Sequence, residues 1–107
     1  MKFEITIPDQ VVAEEPEILD YLAALQRMAD RMATSHFKYG NMSDKFPDSA
    51  NAAVGVTERM QMYADSGNTE NCLDAANYAV IEFLFPAHEK VHFRAQSSHE
   101  SPGEPWR

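Results

Sequence analysis

Three polar side chains of the kind that bind metal ions fall on or beside the apolar face of one helical segment. Segment 67–86 has the pattern of a capped helix, and helical spacing places Glu70, Asp74 and Asn77 within or beside that face. The apolar residues of the face are Leu73, Ala76, Val80, Phe83 and Leu84. A buried polar group costs roughly 1 to 3 kcal/mol unless it is paired. A metal ion or a phosphate-bearing ligand would give these three side chains a partner.

A structural role is the alternative for the same three residues. Glu70 suits the start of a helix, because its carboxylate lies near the positive end of the helix dipole. Asn77 could bridge backbone groups between helices. Asp74 could pair with one of three arginines from neighbouring helices: Arg27, Arg31 or Arg59. The sequence leaves both interpretations open.

A second pair of oxygen ligands precedes this segment. Glu58 and Gln61 share the i,i+3 spacing of Asp74 and Asn77. Oxygen ligands on two antiparallel helices can converge on a hard divalent cation such as Mg²⁺, which also bridges to substrate phosphate. The competing interpretation is a solvated polar face, because Glu58 and Gln61 lie opposite the apolar stripe of their own helix. We predict Mg²⁺ as the cofactor, bound by Glu58, Gln61, Glu70 and Asp74.

Three further residues are predicted to bind a phosphate-bearing substrate. Lys38 and His36 would stabilise phosphate charge, and Tyr78 would offer a ring for stacking on a base. His36 continues the apolar stripe of its helix, so we expect it to face the interior. The catalytic residues are predicted to be Glu70, Asp74 and Asn77.

The spacing of these residues resembles that of the MazG-like all-α nucleotide pyrophosphohydrolases. Those enzymes carry Glu-Glu-x-x-Glu, a gap of this order and then Glu-x-x-Asp, and here Glu58 to Gln61 and Asp74 to Asn77 take the corresponding places. The end of a helix at 38–40, together with segment 63–83, also looks like small bacteriophage proteins sometimes grouped with that family. The resemblance covers roughly residues 30 to 100. It implies magnesium-dependent cleavage of a nucleoside or deoxynucleoside triphosphate to monophosphate and pyrophosphate.

The chain departs from the family pattern at three positions. Thr57, Gln61 and Asn77 stand where the enzymes carry acidic residues. Amide oxygens have no formal charge, so such a site would bind Mg²⁺ less tightly and depend more on the phosphates of the nucleotide. These substitutions favour an alternative function, a noncatalytic phage accessory protein that binds nucleotide or inhibits a host protein through an acidic surface.

The charge of the chain excludes some classes of partner. The formal net charge is -8, from 17 acidic and 9 basic residues, which argues against nonspecific binding to nucleic acid or to an anionic membrane. Cys72 is the single cysteine, so no internal disulfide framework is expected. The sequence predicts neither a signal peptide nor a membrane span. We therefore expect a cytoplasmic protein, located in the host cell if it is phage-encoded.

The elements that must position these residues are predicted to form a small all-α bundle. Segment 1–86 is expected to be the helical domain, with an extended arm over 1–8 and an irregular tail over 87–107. The first main helix should follow Pro16 and end at Gly40. After a connector over 41–51, the second helix has an apolar stripe of Ala53, Val56, Met60 and Tyr63, and the third occupies 67–86. Three helices cover little apolar surface, so we expect a homodimer.

Overall fold

The computed structural model describes residues 1–95, which form four helices and no strands. The helices are α1 (Asp9–Glu14), α2 (Ile18–Tyr39), α3 (Ala52–Ser66) and α4 (Glu70–Leu84). The predicted all-α fold with three main helices is confirmed. Residues 87–95 of the predicted tail contain no helix, and the rest of that tail, 96–107, lies outside the described residues.

The first 17 residues contain one element that the sequence pattern did not predict. Residues 1–8 have no regular secondary structure, which agrees with an extended arm. Helix α1 then forms over six residues, a length too short for an apolar period to repeat. Helix α2 ends where expected, because Gly40 adopts a φ of 81° that favours glycine.

Helices α3 and α4 form an antiparallel hairpin, as predicted. Gly67 ends α3 in the left-handed conformation, with a φ of 74°, and donates its backbone N–H to Tyr63. Contacts across the hairpin join Gly55 to Tyr78 and Arg59 to Asp74, so later residues of α3 meet earlier residues of α4. This hairpin is the most extensively packed part of the described chain and carries most of the candidate site.

The small core is centred on this hairpin and on one residue of the connector. Ala52, Ala75 and Ile81 are buried together with Phe46, which comes from segment 41–51. Half-buried apolar residues that pack against this core are Met32, Met42, Tyr78 and Phe85. The connector also contains a short 3-10 turn, Met42–Asp44. Phe46 therefore anchors a segment that the sequence suggested only as an irregular connector.

The apolar faces of α3 and α4 are not oriented as the sequence predicted. In α4 the buried residues are Asn71, Ala75 and Ile81, whereas Phe83 is 69% exposed and Leu84 is 57% exposed. In α3 the predicted stripe is wrong at Ala53 and Met60, which are both exposed. The physical reason is Gly55, whose missing side chain lets the Tyr78 ring approach the α3 backbone, so small residues rather than the apolar stripe form the contact.

Helix α2 is attached to the hairpin without burying any of its 22 residues. Leu19, Tyr21 and Leu25 are exposed in this arrangement. Uncovered apolar faces on α2 and α4 agree with the expectation of a homodimer, which stays a prediction. None of the helices in residues 1–95 has the length and apolar character needed to cross a bilayer.

The start of α3 is capped by a side chain, and the cap gives a testable prediction. The Asn51 side-chain oxygen accepts a hydrogen bond from the Val54 backbone N–H at 3.2 Å. Changing Asn51→Ala is expected to lower the free energy of unfolding by about 1 kcal/mol, because that N–H loses its partner. Asn41→Ala is the matched control, since the Asn41 side chain makes no such capping bond. Urea denaturation that gives equal losses for both variants would contradict this assignment.

Candidate functional site

A cleft of about 600 Å³ lies between α2, the connector and the α3–α4 hairpin. Its lining combines basic, acidic, amide and aromatic side chains. The charged and amide residues are Arg31, Lys38, Lys45, Arg59, Glu70, Asp74 and Asn77, and the aromatic residues are Tyr39, Phe46 and Tyr78. The cleft is thus open to solvent, strongly polar on some walls and aromatic on others.

Five of the eight residues that the sequence singled out line this one cleft. They are Lys38, Glu70, Asp74, Asn77 and Tyr78. Three others are not among the lining residues: His36, Glu58 and Gln61. Helix α4 supplies four of the five because its first turns run along the cleft, and Lys38 arrives from the end of α2.

Arg31 of α2 holds the two carboxylates of α4. Its Nε donates to Asp74 Oδ1 at 2.6 Å, and its Nη1 donates to Glu70 Oε1 in a second ion pair. The hydrogen bond to Asp74 is the main cause that raises the pKa of the Arg31 guanidinium, and Coulomb attraction to both carboxylates adds to it. The predicted arginine partner of Asp74 is therefore present, and Arg31 occupies the position next to both carboxylates.

Asp74 lies between two guanidinium groups. Its second oxygen, Oδ2, is 4.0 Å from Nε of Arg59, a distance that permits Coulomb attraction but not a hydrogen bond. The Arg59 Nε atom is buried and has no hydrogen-bond partner among residues 1–95. A buried donor without a partner is uncommon in proteins. The Arg59 guanidinium therefore has an unused hydrogen-bonding group at the cleft.

Asn77 joins α4 to α2 through the backbone. Its side-chain Nδ2 donates to the Met28 carbonyl oxygen at 3.1 Å. This is the backbone-bridging role that the sequence left open as the structural alternative. The amide nitrogen of Asn77 therefore has a structural hydrogen bond. The predicted catalytic role of Asn77 would use its side-chain oxygen.

The ring of Tyr78 is packed against other protein groups and is not free to stack on a base. Its ring lies so close to the Gly55 backbone that an added Cβ would be only 2.7 Å from Tyr78 Cδ1. The Arg59 guanidinium carbon is 5.7 Å from the ring centroid, and the Phe46 ring meets it edge to face at 6.4 Å. Tyr78 therefore forms a fixed wall of the cleft.

The remaining predicted ligands lie on other surfaces. Glu58 and Gln61 are on the exposed side of α3, where Gln61 donates to Asp65 at 3.0 Å. His36 is exposed, contrary to the expectation that it faces the interior, because α2 turns a neighbouring face towards α4. Within residues 1–95 of a single chain, no three His, Cys, Asp or Glu side chains are grouped closely enough to hold a metal ion. The four-residue magnesium site stays a prediction.

The cleft differs in charge from the rest of the chain. Within the described residues, four basic and two acidic side chains line it, although the whole protein carries a charge of -8. Sequence reasoning had named Arg31 and Arg59 only as partners for Asp74, and had missed Lys45 and Phe46. Their segment has no periodic pattern, so the sequence offered no signal for the two connector residues.

The arrangement was compared with known proteins. No protein-family model matches the chain, and no curated protein or solved structure is significantly similar to it. The resemblance to the nucleotide pyrophosphohydrolases therefore stays a prediction, and the functional argument depends on the cleft itself.

Proposed function

We propose that the cleft binds a nucleotide, with a nucleoside or deoxynucleoside triphosphate as the ligand class. The observation that carries this proposal is the gathering of four basic residues and several aromatic rings in one cleft of an acidic protein. Phosphate oxygens are recognised by guanidinium and ammonium groups, and bases pack on aromatic side chains. An anionic ligand with an aromatic part matches both features.

The cleft offers the base of the ligand one exposed aromatic side chain. Tyr39 is 60% exposed, and Lys45 Nζ lies 4.6 Å from the centroid of its ring. The ring of Tyr78 is less available for stacking, because it packs against Gly55 and the Arg59 guanidinium. We therefore assign base stacking to the face of the Tyr39 ring that Lys45 does not cover, and retain Tyr78 as a wall against which the ligand would lie.

Magnesium-dependent hydrolysis is the activity proposed for this site, and one observation favours it. Glu70 and Asp74 share the guanidinium of Arg31, so their carboxylates are close neighbours. Two such carboxylates fit Mg²⁺, which takes its other ligands from water and nucleotide phosphate. When bound, Mg²⁺ would neutralise charge on the phosphates. The contribution of the chain would be to hold that ion, with Arg31 moving from the carboxylates to the phosphate.

The noncatalytic alternative is favoured by the same ion pairs. Arg31 already satisfies both carboxylates, and Asn77 is engaged with the Met28 carbonyl. A protein that binds nucleotide without cleaving it, or that presents its acidic surface to a host protein, would need no further rearrangement. The two proposals differ in whether pyrophosphate is released.

The experiment is a pyrophosphate-release assay of the purified full chain with a panel of nucleoside triphosphates and Mg²⁺. We expect release that Asp74→Ala abolishes and that Asp65→Ala, a change of an exposed α3 carboxylate, leaves intact. No release, together with a higher melting temperature on adding nucleotide, would reject hydrolysis and support binding alone. An unchanged melting temperature and no release would reject both hydrolysis and nucleotide binding, and would favour a protein partner.

A further inference from the structure

Three cations of the cleft have at most a distant carboxylate partner among the described residues, because Asp74 Oδ2 is 4.0 Å from Arg59 Nε and the two lysines have none. Among residues 1–95, neither Lys38 nor Lys45 lies within ion-pair distance of a carboxylate, and Arg59 Nε is buried without a hydrogen-bond partner. Arg31, in contrast, is compensated by two carboxylates. The positive charge available to a ligand is therefore concentrated on Arg59, Lys38 and Lys45.

We propose that Arg59, Lys38 and Lys45 form a subsite for a phosphate or diphosphate group, and that this subsite binds its anion without a divalent cation. The inference rests on the proposed function in placing the phosphates of a nucleotide here. These three side chains would bind the phosphates, and binding would need no metal ion. Arg59 and Lys45 have no place in the predicted magnesium site.

The chemistry of the three side chains suits this group. The lining carries four positive and two negative side chains, which leaves a surplus that a multiply charged anion can balance. A planar guanidinium donates in a fixed direction to phosphate oxygens, while lysine ammonium groups act as mobile point charges. Arg59 Nε is buried and lies 4.0 Å from Asp74 Oδ2, so the guanidinium would shift towards the bound anion for a phosphate oxygen to accept the Nε hydrogen bond.

The source of the phosphate does not alter the contacts. Inorganic pyrophosphate and the phosphates of a nucleotide offer the same oxygens to the subsite. The first is the sharper probe, because it has no base to stack on Tyr39 and can be used with all divalent cations removed.

The test is isothermal titration of the full chain with inorganic pyrophosphate in the presence of EDTA. We expect binding by the unchanged protein and a Kd that rises about 10- to 100-fold in Lys45→Gln and in Arg59→Gln, the effect of losing one charged hydrogen bond. Arg27→Gln and Lys90→Gln are the matched controls, because neither residue lines the cleft. The controls should bind as the unchanged protein does.

Several outcomes would overturn the subsite. Absence of pyrophosphate binding by the unchanged protein would do so, and so would equal weakening in the cleft variants and the controls. Circular dichroism checks folding, and if Arg59→Gln does not fold, Lys38→Gln and Lys45→Gln decide the outcome. Binding of magnesium nucleotide without binding of pyrophosphate would reject the subsite and keep the proposed function. Binding of pyrophosphate without binding of any nucleotide would keep the subsite and reject the nucleotide.

Discussion

Changing Arg31→Met is expected to lower the free energy of unfolding by about 2 kcal/mol. The guanidinium joins α2 to α4 through both Asp74 and Glu70, and Asp74 is only 23% exposed. Without Arg31 the two carboxylates repel each other, and the less exposed one lacks its closest partner. The expected loss lies between that of a surface pair and that of a fully buried pair, because Arg31 and Glu70 are themselves partly exposed.

Urea denaturation followed by circular dichroism measures this effect. Arg27→Met is the matched control, an exposed arginine on the same helix that makes no ion pair among the described residues. Adding Glu70→Gln and Asp74→Asn to Arg31→Met should recover part of the loss, since the repulsion is removed. Equal destabilisation by Arg27→Met and Arg31→Met would show that the ion pairs contribute nothing specific.

Changing Gly55→Val is expected to lower the free energy of unfolding by about 3 kcal/mol. An added Cβ would lie 2.7 to 2.9 Å from three carbons of the Tyr78 ring, closer than atoms can pack. Either the hairpin separates or the ring moves into the cleft. The gain in helix propensity on replacing glycine, below about 1 kcal/mol, is too small to offset this overlap.

A double-mutant cycle identifies the cause of the Gly55→Val effect. Tyr78→Ala removes the ring that the new side chain would meet, so the double variant should be more stable than the sum of the two single losses predicts. Ala53→Val is the control for β-branching on α3, because Ala53 is exposed. If the losses of Gly55→Val and Tyr78→Ala are simply additive, the close approach is not what makes position 55 sensitive.

The helices could be predicted from the sequence because their signals are local. Gly40 and Gly67 end helices at the positions where a left-handed or otherwise glycine-favoured backbone is required. The pairing of α3 with α4 followed from their short connection. Helix α1 escaped prediction because six residues hold too few turns to show a period.

The orientation of the helices could not be predicted from their apolar stripes. The contact of Gly55 with Tyr78 is set by the absence of a side chain, which hydrophobic periodicity does not register. On the helix that carries Tyr78, Asn71 and Ala75 are buried, whereas Leu84 and Phe83 are exposed. The basic character of the cleft was missed for a related reason, since Lys45 and Phe46 reach it from a segment without periodicity.

The attachment of α2 has a consequence for the response of the protein to its medium. Helix α2 buries none of its residues fully and is attached by the half-buried Met32, by the ion pairs of Arg31 and by the hydrogen bond of Asn77. Salt is therefore expected to weaken the Arg31 contribution to this attachment more than it weakens the apolar α3–α4 core. Salt and an anionic ligand would then act on the same contact, so the distance between α2 and the α3–α4 hairpin is expected to depend on the composition of the solution.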